Sequence, residues 1–124
     1  MSDENNKKLD ELVDSWLTIG AVSEELGTTV PRVKSLVDRR TLIGVKRGDP
    51  EIFSIPALFI KDGKPLDNLK GTLNLLHDVG YSDAEAIAWL FTEEDSLDHQ
   101  KPIDVLVDGT FKTQVRRVIQ ALAW

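Results

Sequence analysis

The stretch Thr28–Asp49, TTVPRVKSLVDRRTLIGVKRGD, decides the reading of this 124-residue chain. It gathers six basic residues (Arg32, Lys34, Arg39, Arg40, Lys46 and Arg47) against two acidic ones (Asp38 and Asp49), in a protein whose formal net charge is −6. Thr29 is placed to cap a helix, its hydroxyl accepting from a backbone N–H of the first turn. Pro31 falls in that turn, where a missing N–H does no harm. Val30, Val33, Leu36 and Val37 recur with the period of a helix that buries one stripe. At about 100° per residue, Pro31, Ser35 and Asp38 lie opposite the stripe, with Arg32, Lys34 and Arg39 on its flanks. After Thr41 the period shortens. Two β-prone runs, about 43–46 and 51–54, surround the turn signal Gly48-Asp49-Pro50 and predict a hairpin with Lys46 and Arg47 near its tip.

Towards the N-terminus, Gly27 closes a preceding helix in the left-handed conformation that glycine adopts most cheaply. Thr18 caps that helix, and Ile19, Val22 and Leu26 form its apolar stripe. A further helix fits 7–17, because Leu9, Leu12, Val13, Trp16 and Leu17 share one helical face. Residues 1–6 are polar and read as a disordered acidic tail.

Towards the C-terminus, Asp62-Gly63-Lys64-Pro65 breaks a short segment from Ala57 to Ile60. Leu66, Leu69, Leu73 and Leu76 then follow a helical period. Ser82 with Glu85 forms a capping box that opens the helix carrying Ile87, Trp89 and Leu90. A polar loop, TEEDSLDHQK, precedes a short run from Pro102 to Val107. Val115, Val118, Ile119 and Leu122 stripe a terminal helix running to Trp124. The fold class expected is mostly α with a small β-hairpin, a basic stretch within 16–50 being followed by a helical carboxy-terminal half.

Composition excludes several classes. There is no cysteine, so neither a disulfide framework nor a thiolate centre is available. No apolar run approaches the ~20 residues that cross a bilayer, and the polar opening MSDENNKKLDEL is unlike a secretory signal, which predicts a cytoplasmic protein. His77 and His99 stand apart with no metal-ligand spacing. Glu93-Glu94-Asp95 lacks the glycine and spacing of a calcium loop. Lys61–Lys64, KDGK, lacks the pattern of a phosphate loop. The tripeptide Arg47-Gly48-Asp49 is explained by a hairpin turn. The expectation is therefore no enzyme, no metal and no cofactor.

Two helices joined by a short glycine turn and followed by a basic hairpin are the order of a winged helix-turn-helix. Such a unit holds its second helix firmly enough to enter a major groove about 12 Å wide. Residues 16–50 carry six basic and four acidic side chains, whereas 51–124 carry seven and twelve. A local basic face on an acidic body can still attract a polyanion, because charge is screened beyond ~10 Å at moderate salt. On this reading Arg32, Lys34, Ser35, Arg39 and Arg40 meet DNA from the helix of about 30–40. Thr29 presents the helix N-terminus to a phosphate, and Lys46 and Arg47 anchor the wing of about 43–54. Asp38 either accepts from a cytosine amino group or orients Arg39 or Lys34.

The run from Thr18 to Asp49 is similar to the helix-turn-helix and wing of mercury-resistance-type regulators and excisionases. The chain as a whole resembles a small actinobacterial family of winged helix-turn-helix DNA-binding regulatory proteins. The likeness is carried by WLTIGAVSEELG (Trp16–Gly27), VKRGD (Val45–Asp49), AIAWLF (Ala86–Phe91), PIDVL (Pro102–Leu106) and QALAW (Gln120–Trp124). It implies double-stranded DNA binding, in a transcriptional regulator, by residues 7–60, with 61–124 a helical companion packed on them. It also implies phosphorylation of the amino-terminal tail by a Ser/Thr kinase, for which Ser2 and Ser15 are the hydroxyl residues before Thr18. The second half leaves two readings open. YSDAEAIAWLF with PIDVLVDG resembles the module by which some antitoxins dock a toxin, an antitoxin-like or adaptor role. Alternatively Trp89, Leu90, Phe91, Ile103 and Leu106 are simply core.

Overall fold

The computed structural model describes residues 8–48, 50–109 and 112–122, with Lys112 described in its backbone alone. The expectations for the tail 1–6, for Ser2 and Asp49, and for Trp124 therefore lie outside the described residues. The chain is mostly helical, with two small antiparallel sheets.

Residues 8–12 form α1, which buries Leu9 and, just beyond it, Val13. The helix expected to continue to residue 17 does not. The chain breaks after Leu12, and Trp16–Thr18 form strand β1. The physical reason is non-local: β1 pairs antiparallel with β3 (Ile52–Pro56), with Trp16 opposite Pro56 and Thr18 opposite Ser54. On its other side β3 pairs with β2 (Val45–Arg47), so the sheet order is β1-β3-β2. The hairpin β2–β3 sits one to two residues further along than the apolar runs suggest. Gly44 lies just before β2, where a Cβ would stand 2.3 Å from the Ser54 carbonyl oxygen, closer than any side chain allows.

Helix α2 (Ile19–Leu26) and helix α3 (Val30–Asp38) stand where their caps put them. Thr18 Oγ1 accepts from the Ala21 amide at 3.1 Å, and Thr29 Oγ1 from the Arg32 amide at 3.3 Å. Between them Gly27 has φ 64°, and the amides of Gly27 and Thr28 donate back to Glu24 and Ser23, the paired bonds that close a helix through a left-handed residue. Helix α3 closes in the same way. The amides of Arg40 and Thr41 donate to Val37 and Leu36, and Arg40 is the left-handed residue, at φ 60°. A residue with a Cβ in that conformation costs about 1 kcal/mol.

The second half opens on the hairpin β4 (Ile60–Lys61) and β5 (Lys64–Pro65). Asp62 and Gly63, both at positive φ, form the two-residue turn between them. Helix α4 (Leu69–Asp78) follows and buries Leu69, Thr72, Leu73 and Leu76. In α5 (Asp83–Leu90) the Ser82 hydroxyl accepts from the Glu85 amide while the Glu85 carboxylate accepts from the Ser82 amide. That backbone bond and the hydroxyl hold the Glu85 carboxyl below the ordinary glutamate range. Residues from Pro102 form a helix, α6 (Pro102–Asp108), and α7 (Lys112–Leu122) packs on α4 and α6.

One core joins the two halves. Leu42, Ile43, Ile55 and Phe59 from the first are buried in the same cluster as Leu73, Ile87, Leu90, Ile103 and Ile119 from the second. The rings of Phe59 and Phe91 meet across the seam at 6.1 Å between centroids.

Candidate nucleic-acid interface

Helix α3 is the least buried of the long helices in the first half. Of its nine residues Val33 alone is fully buried, and Val30 at its start is 38% exposed. The helix is tied to the body along one edge, with the opposite side free to meet something else. On that side and its flanks Arg32, Lys34, Asp38 and Arg39 are exposed and Ser35 is half-buried. No carboxylate among the described residues comes within ion-pairing distance of Arg32, Lys34 or Arg39. The Arg39 guanidinium instead donates from Nη2 and Nε to Ser35 Oγ, at 2.8 and 3.3 Å, one turn back on the same helix. Ser35 and Arg39 thus form a single polar unit, and Asp38 takes no part in it.

The two remaining arginines of the basic stretch are held elsewhere. Arg40 donates from Nη2 to Asp83 Oδ1 at 2.8 Å, across 43 residues of sequence. Arg47 donates to Asp10 Oδ1 from Nε at 2.7 Å and from Nη2 at 2.6 Å. Its guanidinium carbon also lies 4.9 Å from the Trp16 ring centre, a cation–π contact. Lys46, between these arginines in sequence, points to the exposed face of β2. Thus the structure places Thr29, Arg32, Lys34, Ser35 and Arg39 together on α3, and Lys46 on the hairpin. Arg40 and Arg47 lie against carboxylates that sequence reasoning did not pair with them. Charge alone gave no signal for those pairs, because Asp10 and Asp83 look like any other acidic residue of an acidic chain.

Ser15 is exposed and lies just before β1, with its carbonyl accepting from the Ala57 amide at 2.9 Å. In the second half Leu90, Phe91, Ile103 and Leu106 are buried in the core and Trp89 packs against it. Four of these side chains are thus enclosed, while Trp89 keeps part of its surface exposed. Among the described residues, no group of three or more His, Asp or Glu side chains comes together in a way that could hold a metal. Nor, among the described residues, is any helix long and apolar enough to cross a membrane.

Comparison with known proteins fits this geometry. The DNA-binding protein Rv2175c of Mycobacterium tuberculosis is 31% identical over 118 residues, covering 83% of this chain and 77% of its own. The chain belongs to the Rv2175c family. The NMR structure of Rv2175c superposes with a TM-score of 0.76 at 32% identity, over 89% of this chain and 82% of that one. Residues 66–123 also match the family model described as the Rv2175c C-terminal domain of unknown function. In this chain the matched region begins at Leu66, one residue after β5, and takes in α4 to α7.

Proposed function

We propose that this protein is a winged helix-turn-helix protein that binds double-stranded DNA and acts as a transcriptional regulator. In this reading α2 and α3 are the helix-turn-helix, α3 is the recognition helix, and the hairpin β2–β3 is the wing. The observation that carries it is the outward face of α3, where Arg32, Lys34 and Arg39 stand exposed with no carboxylate partner among the described residues. The relative's name, DNA-binding protein, supports the same reading. Arg32 and Lys34 reach phosphates or the acceptor edge of guanine. The Ser35–Arg39 unit offers a hydroxyl and a guanidinium to one position, and the Thr29-capped N-terminus of α3 faces a phosphate. Lys46 contacts the backbone from the wing, with Arg47 behind it.

The test is fluorescence anisotropy of a labelled mixed-sequence duplex, comparing wild type with the Arg32→Ala/Arg39→Ala double variant. With three to four phosphates neutralised, raising salt from about 50 to about 200 mM weakens wild type roughly 40- to 150-fold. The double variant loses about two of those contacts and so about a tenfold share of that salt sensitivity. Equal slopes for the two proteins would move the DNA face away from α3.

A further inference from the structure

Arg40 occupies a position for which an arginine backbone is poorly suited. Helices α2, α4 and α6 all end on a left-handed glycine, Gly27, Gly80 and Gly109, with nothing within 4 Å of where a Cβ would stand. Glycine serves there for its conformation alone. At the end of α3 the same left-handed residue is Arg40. Of the other non-glycine residues at positive φ among the described residues, Asp62, Asn68, Asp98 and His99, all belong to the types that tolerate it best. Arginine does not. A residue kept against its backbone preference points to work done by its side chain.

That side chain runs inward. Arg40 is 28% exposed and Asp83 41%, and the Arg40 Nε is buried with no partner, so the guanidinium is committed to Asp83 at some desolvation cost. Asp83 is the first residue of α5, next to the Ser82–Glu85 capping box. A carboxylate in a first turn is favoured by the helix dipole, so Asp83 is a fixed anion on the second half. Gly80, Tyr81 and Ser82 line the open hollow beside the pair. Arg39, the next residue back, is exposed and faces its own helix. Adjacent arginines thus point in different directions, one along the outward helix and one into the joint between halves.

We infer that Arg40 is a positioning residue: through Asp83 it pins the last turn of α3 to the first turn of α5, and it makes no contact with DNA. The carboxy-terminal half then sets the angle at which α3 is presented, which gives the matching domain of unknown function a mechanical task. This rests on the proposal that α3 faces DNA.

Duplex titrations of Arg40→Gly, Asp83→Asn and the double variant at two salt concentrations test it. Glycine suits the left-handed position, so Arg40→Gly folds. Each single change weakens binding roughly two- to fivefold, the double change is no worse than either, and the salt slope stays at the wild-type value. If Arg40 were a phosphate contact, Arg40→Gly would flatten the slope by about 0.9, and Asp83→Asn would release the arginine and tighten binding. Either of those results, or unchanged affinity in both variants, overturns the assignment. Amide exchange gives a reading independent of DNA. In Asp83→Asn the Thr41 amide, bonded to Leu36, loses protection by a similar factor, and unchanged protection overturns the pin. Failure of wild type to bind any duplex would remove the DNA reading while the exchange result still judges the Arg40–Asp83 tie.

Discussion

The pairs α2–α3 and α4–α5 are made with one set of local devices and differ in burial and charge. Each first helix ends on a left-handed glycine, Gly27 or Gly80, and each second helix begins on a hydroxyl cap, Thr29 or Ser82. Beyond the caps they diverge. Helix α4 buries Leu69, Thr72, Leu73 and Leu76, whereas α3 buries Val33 alone. The first turn of α5 is acidic, with Asp83 and Glu85, while α3 starts without an acidic residue and turns cations outward. Turn chemistry makes a helical hairpin. How much of it is buried, and the sign of what stays exposed, set the two hairpins apart.

The largest effect that separates the pairs is in the core. Leu73→Ala, fully buried on α4, lowers stability by 2–5 kcal/mol, on the order of other buried leucine truncations. Val33→Ala, where α3 is tied down, costs about 2 kcal/mol. Urea denaturation monitored by circular dichroism ranks the two. An equal or larger loss at Val33 would mean that α3 is as central to the fold as α4.

The caps come next. Thr29→Ala and Ser82→Ala each cost about 1 kcal/mol in the same denaturation measurement. They part company in a duplex titration, where Thr29→Ala weakens binding and Ser82→Ala leaves it alone. A smaller effect follows acidification. The folded pKa of Glu85 is lowered, chiefly by the Ser82 amide and then by its hydroxyl. Its share of stability is thus in place above the ordinary glutamate range and is lost as pH falls from there through the lowered value. Amide exchange at the start of α5 should quicken over that window, and in Glu85→Gln this response should disappear. The smallest expected effect is none. Neutralising Glu93, Glu94 and Asp95 together should leave duplex affinity unchanged, since these side chains lie near the 3-10 turn at Asp95–Leu97 in the second half. Loss of binding in that triple variant would mean that the interface lies in the second half.

What could be read in the sequence was whatever is decided within about four residues. Thr18, Gly27, Thr29 and Pro31 bound α2 and α3 by cap chemistry, and Ser82 with Glu85 announced α5. The failures share a longer range. Trp16 and Leu17 fit the helical face of Leu9, Leu12 and Val13, and only β3, some forty residues on, draws them into a strand. Asp62-Gly63 reads locally as a break, but it is also a pair suited to a tight hairpin, and with strands of two residues each no alternation is long enough to show it. For the candidate site, the clustering of positive charge was legible. Its division was not, because Arg40 finds Asp83 and Arg47 finds Asp10 at separations of 43 and 37 residues, distances over which sequence carries no pairing rule.

The order β1-β3-β2 also bears on how the chain is born. Strand β1 emerges from the ribosome well before β3, the only neighbour it has in the sheet among the described residues. At ~5–20 residues per second, Trp16 and Leu17 wait roughly two to eight seconds for a partner while β2 follows them out. Nascent chains paused before β3 has emerged should therefore expose an apolar amino-terminal segment to chaperones, and release of that hold should coincide with emergence of β3.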